Sequence, residues 1–147
     1  MVVPVSHPFV VTSKYGTRFL DGVRQFHDGI DFIGVYSDIV VAVADGIVTY
    51  DMDDYEEAKR WTDPHHSAGN MIIIRHELDA GLFYCRYLHL KNNIVKKGQK
   101  VFEGSTLGNY ADVGRSRGAH VHFDAYDMHW QKVNPTPLFQ DLLGGVS

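Results

Sequence analysis

Short apolar runs are the feature that most constrains the fold of this 147-residue chain. The runs are rich in Val, Ile, Tyr and Phe and are broken by Gly, Asn and Asp, which is typical of many short strands. No long stretch keeps the 3.6-residue period of an amphipathic helix. The pattern predicts strands near residues 10–15, 39–44, 47–50, 70–76, 82–89, 100–102, 106–110 and 119–126.

The C-terminal segment departs from this strand pattern. Thr136 can cap a short helix, with Pro137 at its first position and Gly144 and Gly145 beyond its end. The length of the chain is typical of one domain with one core. We therefore predict a mainly β fold, with a single small domain over residues 1–147, antiparallel sheets and a short C-terminal helix.

Charge and composition exclude several classes of function. The net charge is −4 and the basic residues are scattered, so we expect no nucleic-acid partner. No window approaches the ~18 apolar residues that span a bilayer, and the N-terminal residues lack the regions of a signal peptide. We expect no membrane insertion and no export signal. Cys85 is the single cysteine, so neither an internal disulfide nor a thiolate zinc cluster can form.

The nine histidines are the unusual part of the composition, and two of them form an H-x-H pair. In a strand, His120 and His122 project from one face about 6.6 Å apart, while Val121 and Phe123 point to the core. Histidine is both the commonest metal ligand and the usual acid or base near neutral pH. An isolated H-x-H is nevertheless a weak signal, because two exposed strand histidines give the same pattern.

A second element is the sequence His27-Asp28-Gly29-Ile30-Asp31. A straight strand would hold His27 and Asp31 about 13 Å apart, too far to share one ion, so either the chain bends or His27 lies in a loop. A β-turn with a histidine before it by chance is the alternative. Together with an H-x-H histidine, the two side chains make a three-ligand set of the catalytic type.

The third element is Tyr87-Leu88-His89, at the end of a predicted strand. Strand alternation places Cys85, Tyr87 and His89 on one face, so Tyr87 would line a groove beside His89. Cys85 lies about 13 Å back along that strand, which predicts a buried, inert thiol. The sequence shows no Cys-His pair and no G-x-S-x-G turn, which argues against covalent catalysis.

Eight motifs occur here in the order seen in the lysostaphin-type zinc metallopeptidases, which cleave peptidoglycan: SKYGTR, FHDGIDF, VAVADGIVTY, GNMIIIRHE, YLHL, VKKGQKVFEGSTLGNY, GRSRGAHVHFDAY and VNP. The resemblance covers residues 9–138. It implies one Zn²⁺ per chain held by His27, Asp31 and His122, with His120 and His89 as catalytic residues. It also implies an open active-site groove and, as substrate, the peptide stems or cross-bridges of bacterial cell walls.

Several points stay open at this stage. Some members of the family have a tyrosine in the loop before the first ligand, and residues 20–26 contain none. The candidates to stabilise the oxyanion are Arg18, Tyr87 and protonated His89. Asp124 either orients a histidine ring or is a plain surface acid. Residues 51–67 form either a groove wall that attracts free amines or a solvated insertion. The remaining histidines, His7, His65, His66, His76 and His129, are interpreted as structural or solvated.

The leading functional hypothesis is a peptidoglycan endopeptidase that acts at the bacterial cell wall as a phage or bacterial lysin and as a monomer. A second hypothesis is a non-enzymatic cell-wall binding or activating module of the same fold. A third is a zinc D,D-carboxypeptidase or amidase.

Overall fold

The computed structural model describes residues 1–53, 69–79, 81–111 and 118–143. These residues form twelve strands, followed by a 3-10 turn (Thr136–Phe139) and one helix, α1 (Gln140–Leu143). The strands are β1 (Phe9–Ser13), β2 (Gly16–Leu20), β3 (Val23–His27), β4 (Ile30–Gly34), β5 (Ile39–Val41), β6 (Gly46–Met52), β7 (Asn70–Leu78), β8 (Gly81–Asn93), β9 (Lys100–Val101), β10 (Thr106–Tyr110), β11 (Val121–Asp127) and β12 (Lys132–Val133).

Ten of these strands form one sheet. Its main order is β1-β4-β11-β8-β7-β6-β9, with β12 paired to β11 and β10 paired to both β8 and β5. β2 and β3 form a separate two-stranded hairpin. All the strand pairs in both sheets are antiparallel, so the predicted mainly β fold of antiparallel sheets is confirmed.

A strand is present at each of the eight predicted places, but four further strands were missed. β2 and β3 are largely exposed and carry Arg18, Arg24 and Gln25, so they lack the apolar run that marks a buried strand. β4 contains Asp31 between apolar residues and ends on a glycine, and β12 has two residues. Two of the missed strands, β3 and β4, carry the predicted ligands His27 and Asp31.

The core lies on one face of the large sheet. Along β11, Val121, Phe123 and Ala125 are buried against the core, whereas His122 and Asp124 are buried on the opposite face. The rings of Phe32, Phe123, Phe139 and Tyr87 pack together, with centroids 5.3–6.4 Å apart. This packing fixes β4, β8 and β11 side by side, which matters because all three carry residues of the site.

The C-terminal segment is helical, as predicted, but Thr136 is not its cap. The residue before the first turn is Pro135, and no side-chain cap bond is made there. Instead, the backbone N–H of Thr136 donates to Oδ1 of Asn134 at 2.9 Å, so the preceding asparagine takes over the role. Phe139 and Leu143 then turn into the core.

The helices in the described part of the chain include none that is long and apolar enough to cross a membrane. Most of the acidic segment 51–67 lies outside the described residues, as do Gly144 and Gly145. The role of residues 51–67 as a groove wall therefore stays a prediction.

Candidate metal centre

The chain bends sharply between His27 and Asp31. His27 is the last residue of β3 in the hairpin, and Asp31 is the second residue of β4 in the large sheet. Gly29 lies in the bend, where an added Cβ would come within 2.5 Å of the carbonyl oxygen of Phe123 and 2.6 Å of Nε2 of His122. Only glycine leaves room for His122 there, and the bend brings the two predicted ligands together.

His122 joins them from the neighbouring strand. The register of β4 with β11 places Asp31 directly opposite His122. His27 Nε2 lies 3.3 Å from Asp31 Oδ1 and 3.3 Å from His122 Nδ1, and His122 Nδ1 lies 3.1 Å from Asp31 Oδ1. We call these three atoms the donor triangle. All three residues are buried.

The size of the donor triangle fits a tetrahedral zinc ion. Zinc bonds of about 2.0–2.2 Å place neighbouring tetrahedral donors about 3.3–3.6 Å apart. The three edges of 3.1–3.3 Å are therefore close to those of a loaded site. Two imidazole nitrogens and one carboxylate oxygen are also ligands that zinc accepts, and three protein donors leave a fourth position.

The second nitrogen of each ligand ring is already engaged. His27 Nδ1 donates to the carbonyl oxygen of Lys14 at 2.8 Å and lies 3.2 Å from Ser13 Oγ. His122 Nε2 donates to Asp124 Oδ2 at 3.1 Å. These contacts orient both rings so that His27 Nε2 and His122 Nδ1 present their lone pairs to the triangle, the arrangement typical of metal-binding histidines.

The electrostatics of the site favour a cation inside it. Burial alone raises the pKa of Asp31, but hydrogen bonds to His122 and His27 outweigh burial and hold that pKa well below its usual range. Burial lowers the pKa of His122, whereas hydrogen bonds to Asp124 and Asp31 raise it to about 9. The carboxylates thus hold positive charge at this ring, and a metal ion bound at the triangle replaces a proton there.

Asp28 and Asp124 form a second acidic group on the other side of His122. Arg86 donates to both oxygens of Asp124, from Nε at 2.8 Å and Nη2 at 2.7 Å. Lys132 Nζ donates to Asp28 Oδ2 at 2.6 Å and lies 3.5 Å from Asp124 Oδ2. We call these four side chains the balanced cluster. Because cationic side chains already neutralise its carboxylates, the donor triangle is the better metal site.

Asp124 is therefore not a surface acid. It is fully buried, and the hydrogen bonds from Arg86 and His122 overcome burial to keep its pKa well below the usual range. The open question of its role is answered by the register of β11 with β8, which places it opposite Arg86. Arg86 and Lys132 were not identified as site residues from the sequence.

The two predicted catalytic histidines lie at the edge of the donor triangle. The rings of His89 and His120 are 5.0 Å apart between centroids, and His89 is 6.1 Å from His122. His120 Nδ1 donates to the carbonyl oxygen of Gly118 at 2.8 Å, and its Nε2 lies 3.6 Å from Asp31 Oδ1. All five predicted site residues are thus brought together.

The prediction that Tyr87 lines the groove is wrong. Tyr87 is fully buried, packs on Phe123 and accepts a hydrogen bond from the backbone N–H of Val43 at 3.0 Å. The cause is His89, whose backbone has a left-handed φ of 68°. That residue breaks the period-two alternation of β8, so His89 and Tyr87 do not share a face.

The other sequence interpretations can also be compared with the structure. Cys85 is fully buried, and burial raises the pKa of its thiol well above the usual value, as expected of an inert cysteine. His76 is structural: it is fully buried, stacks on Phe83 and donates from Nδ1 to the carbonyl oxygen of Asp45. His7 and His129 are exposed. His65 and His66 lie outside the described residues.

The five site residues line a cleft whose other side is the β2–β3 hairpin. Thr17, Arg18, Phe19 and Phe26 line that side, and Phe19 and Phe26 are largely exposed. Arg18 Nη1 donates to Ser13 Oγ at 2.7 Å and lies 3.7 Å from Asp31 Oδ2. The predicted open groove is present, and the guanidinium group of Arg18 lies beside the carboxylate of Asp31.

This arrangement is a candidate metal site of two histidines and one aspartate, with two further histidines at its edge. Residues 25–135 match Peptidase family M23, and the chain belongs to this family. The resemblance to the lysostaphin-type peptidases that the motifs indicated is thereby confirmed.

Relatives of this chain are found among curated proteins and solved structures. Peptidoglycan DD-endopeptidase ShyA of Vibrio cholerae is 32% identical over 124 residues, which cover 82% of this chain and 26% of ShyA. A zinc containing peptidase from Vibrio cholerae, solved by crystallography, is 29% identical with a TM-score of 0.68, and the match covers 89% of this chain and 37% of that one. The catalytic domain of the antimicrobial peptidase lysostaphin from Staphylococcus simulans has the same fold, with 23% identity, a TM-score of 0.67 and coverage of 90% and 92%. The chain spans about a quarter of the length of ShyA.

Proposed function

We propose that this chain is a zinc-dependent endopeptidase that hydrolyses peptide bonds in the stems or cross-bridges of bacterial peptidoglycan. The observation that carries the proposal is the donor triangle with two further histidines at its edge. Membership of Peptidase family M23 and the names of ShyA and of the zinc containing peptidase support the same reaction and metal. The chain would act at the bacterial cell wall, as a lysin and as a monomer.

His27, Asp31 and His122 would hold one Zn²⁺ ion through the donor triangle. When bound, zinc supplies Lewis-acid activation of water and of a carbonyl group. The protein fixes the orientation of these ligands through the carbonyl oxygen of Lys14 and the carboxylate of Asp124. Arg18, 3.7 Å from Asp31 Oδ2, helps to hold the second oxygen of that carboxylate.

His120 and His89 would move the protons of the reaction. Because His120 Nδ1 donates to Gly118, its Nε2 is the basic nitrogen of the neutral ring, and this atom faces the site. One of the two histidines accepts a proton from the attacking water. The other, when protonated, gives a proton to the leaving amine or stabilises the oxyanion. Arg18, which lines the cleft, is a further candidate to stabilise the oxyanion, whereas the buried Tyr87 is not.

Digestion of purified peptidoglycan sacculi of several cross-link types tests this function. We expect loss of cross-linked fragments and one new amino terminus, identified by mass spectrometry, with no release in the presence of a chelator. His122→Ala provides the matched inactive control. Release of a terminal amino acid alone would identify a carboxypeptidase, and release of intact stems from sugar would identify an amidase. Unchanged sacculi of every type would favour a non-enzymatic module.

A further inference from the structure

Three aromatic side chains lie together on the sheet face that carries the site. Tyr126 follows His122 and Asp124 on the same face of β11, and Tyr84 of β8 is its direct cross-strand partner. The ring of Trp130 stacks on Tyr84, with centroids 4.7 Å apart and planes at 12°, and meets Tyr126 at 4.6 Å and 70°. We call Tyr84, Tyr126 and Trp130 the aromatic platform.

The turn between β11 and β12 presents Trp130 to solvent. Trp130 has a left-handed φ of 60°, which is unfavourable for a bulky residue. The turn is held by Asp127, whose Oδ1 accepts from the backbone N–H groups of His129 and Gln131 at 2.8 and 3.0 Å. Trp130 is still 48% exposed although its indole contacts both Tyr84 and Tyr126, so about half of its surface can contact a ligand.

The two cationic side chains beside the aromatic platform are already paired with carboxylates. The cationic groups of Arg86 and Lys132 each lie 5.3 Å from the centroid of Tyr126. Arg86 is paired with Asp124 and Lys132 with Asp28. A charged ligand would have to compete with these pairs. The surface therefore favours a neutral ligand that combines an apolar face with polar edges.

A pyranose ring has this chemistry. Its C–H groups can lie against the electron-rich face of an indole, and its hydroxyl groups can hydrogen-bond to tyrosine hydroxyls at the margin. Tyr84 and Tyr126 are both partly exposed, so their hydroxyls can serve at that margin. An aliphatic side chain would match the indole face but not the polar surroundings.

The position of the platform agrees with a sugar-linked peptide substrate. His122 and Tyr126 are four positions apart in one strand, a separation of about 13 Å. An extended peptide of about four residues spans about 13–14 Å. A short peptide lying across the donor triangle can therefore reach the platform with the sugar to which it is attached.

We propose that the aromatic platform binds a neutral sugar ring of the glycan strand, while the attached peptide lies across the donor triangle. The proposal rests on the proposed function for the identity of the substrate. The observations that carry it are the stacked, exposed Trp130 and the paired charges around it.

Direct binding to peptide-free glycan strands tests the platform without any need for catalysis. The zinc-loaded chain is titrated with these strands, which contain no peptide bond to cleave, and binding is measured by calorimetry. Trp130→Asn removes the ring but keeps a residue that tolerates left-handed backbone. We expect about tenfold weaker binding, equal to about 1.4 kcal/mol, and partial recovery in Trp130→Phe. Tyr36→Ala, at an exposed aromatic residue outside the platform, is the matched control and should bind as the unsubstituted chain does.

A second measurement compares two cleavable substrates, a glycan-linked cross-linked peptide and the same peptide without sugar. We expect the ratio of their kcat/KM values to fall about tenfold in Trp130→Asn. Cleavage of both peptides with no glycan binding would overturn the platform while leaving the proposed function intact. Trp130-dependent glycan binding with no cleavage of either peptide would support the platform and overturn the proposed function. An equal fall in kcat/KM on both substrates would assign the platform to the peptide and overturn the sugar assignment.

Discussion

Two acidic groups flank the ring of His122, and they differ in the side chains that balance their negative charge. On the Nδ1 side, Asp31 contacts two histidines, and Arg18 Nη1 lies 3.7 Å from Asp31 Oδ2. On the Nε2 side, the carboxylates of Asp28 and Asp124 are neutralised at 2.6–2.8 Å by Lys132 and Arg86. The same acid type is thus used for two different purposes within one strand pair.

The difference between the two groups teaches how a cation site is specified. Buried carboxylates need a positive partner, because an unpaired buried charge is costly. In the balanced cluster the chain supplies that partner itself. In the donor triangle the partners are histidines, which are neutral when they act as ligands. A metal ion that replaces the proton held at His122 would then supply the positive charge.

Breaking the donor triangle should have the largest effect. Asp31→Asn or His122→Ala removes one of three donors, and we expect loss of bound zinc and of peptidase activity to background. Metal analysis of the purified variants measures this directly. Asp28→Asn changes an acid of the same type in the balanced cluster and should keep one zinc per chain. Full zinc and normal turnover in His122→Ala would show that the ligand assignment is wrong.

Removal of the edge histidines should separate binding from chemistry. We expect His120→Ala and His89→Ala to keep zinc and to lose 10²- to 10⁴-fold in kcat, the usual contribution of a positioned acid or base. His7→Ala, at an exposed histidine far along the chain, is the control. Wild-type turnover in both variants would contradict the catalytic roles, and zinc loss in His120→Ala would exchange the roles of His120 and His122.

Asp124→Asn tests the link between the two groups. It takes a carboxylate from His122 Nε2, and such changes typically cost 10- to 100-fold in metal affinity. It also leaves Arg86 without its buried partner, which should lower the free energy of unfolding by about 3 kcal/mol. Chelator competition and urea unfolding measure the two effects. Adding Arg86→Met should restore stability but not metal affinity, and a full recovery of both would disprove the orienting role of Asp124.

Lys132→Met should have the smallest effect. Lys132 pairs with Asp28, whose side chain is 45% exposed, and such partly exposed pairs contribute about 0.2–1 kcal/mol. We expect a loss of at most about 1 kcal/mol in unfolding free energy and no change in zinc content. A loss of zinc in this variant would mean that the balanced cluster supports the donor triangle more directly than its geometry indicates.

Much of the site could be predicted because its signals are local. The period of two places His120 and His122 on one face, and the Asp28-Gly29 pair bends the chain between the other two ligands. The strand positions and the fold class follow from the apolar runs in the same way. Resemblance to a known family then selected one ligand set from the alternatives that spacing left open.

The rest depends on contacts between distant segments. The roles of Asp124, Arg86 and Lys132 follow from the registers of β8, β11 and β12, which no local pattern encodes. The assignment of Tyr87 to the groove failed because His89 adopts a left-handed backbone that strand alternation does not anticipate. β2 and β3 were missed because most of their residues face solvent, so they carry no strand-like apolar run.

The separation of the ligands along the chain has a consequence for folding kinetics. His27 and Asp31 lie 95 and 91 positions before His122, so the donor triangle exists only after segments from both ends of the chain have met. Such non-local contacts form slowly, so we expect the donor triangle to be absent from the folding transition state. Interactions that are absent from the transition state change the unfolding rate and not the folding rate. An ion that binds only the native chain adds about 4.1 kcal/mol to the free energy of unfolding when its free concentration is a thousand times its Kd. Its removal should then shorten the lifetime of the folded chain without slowing its formation.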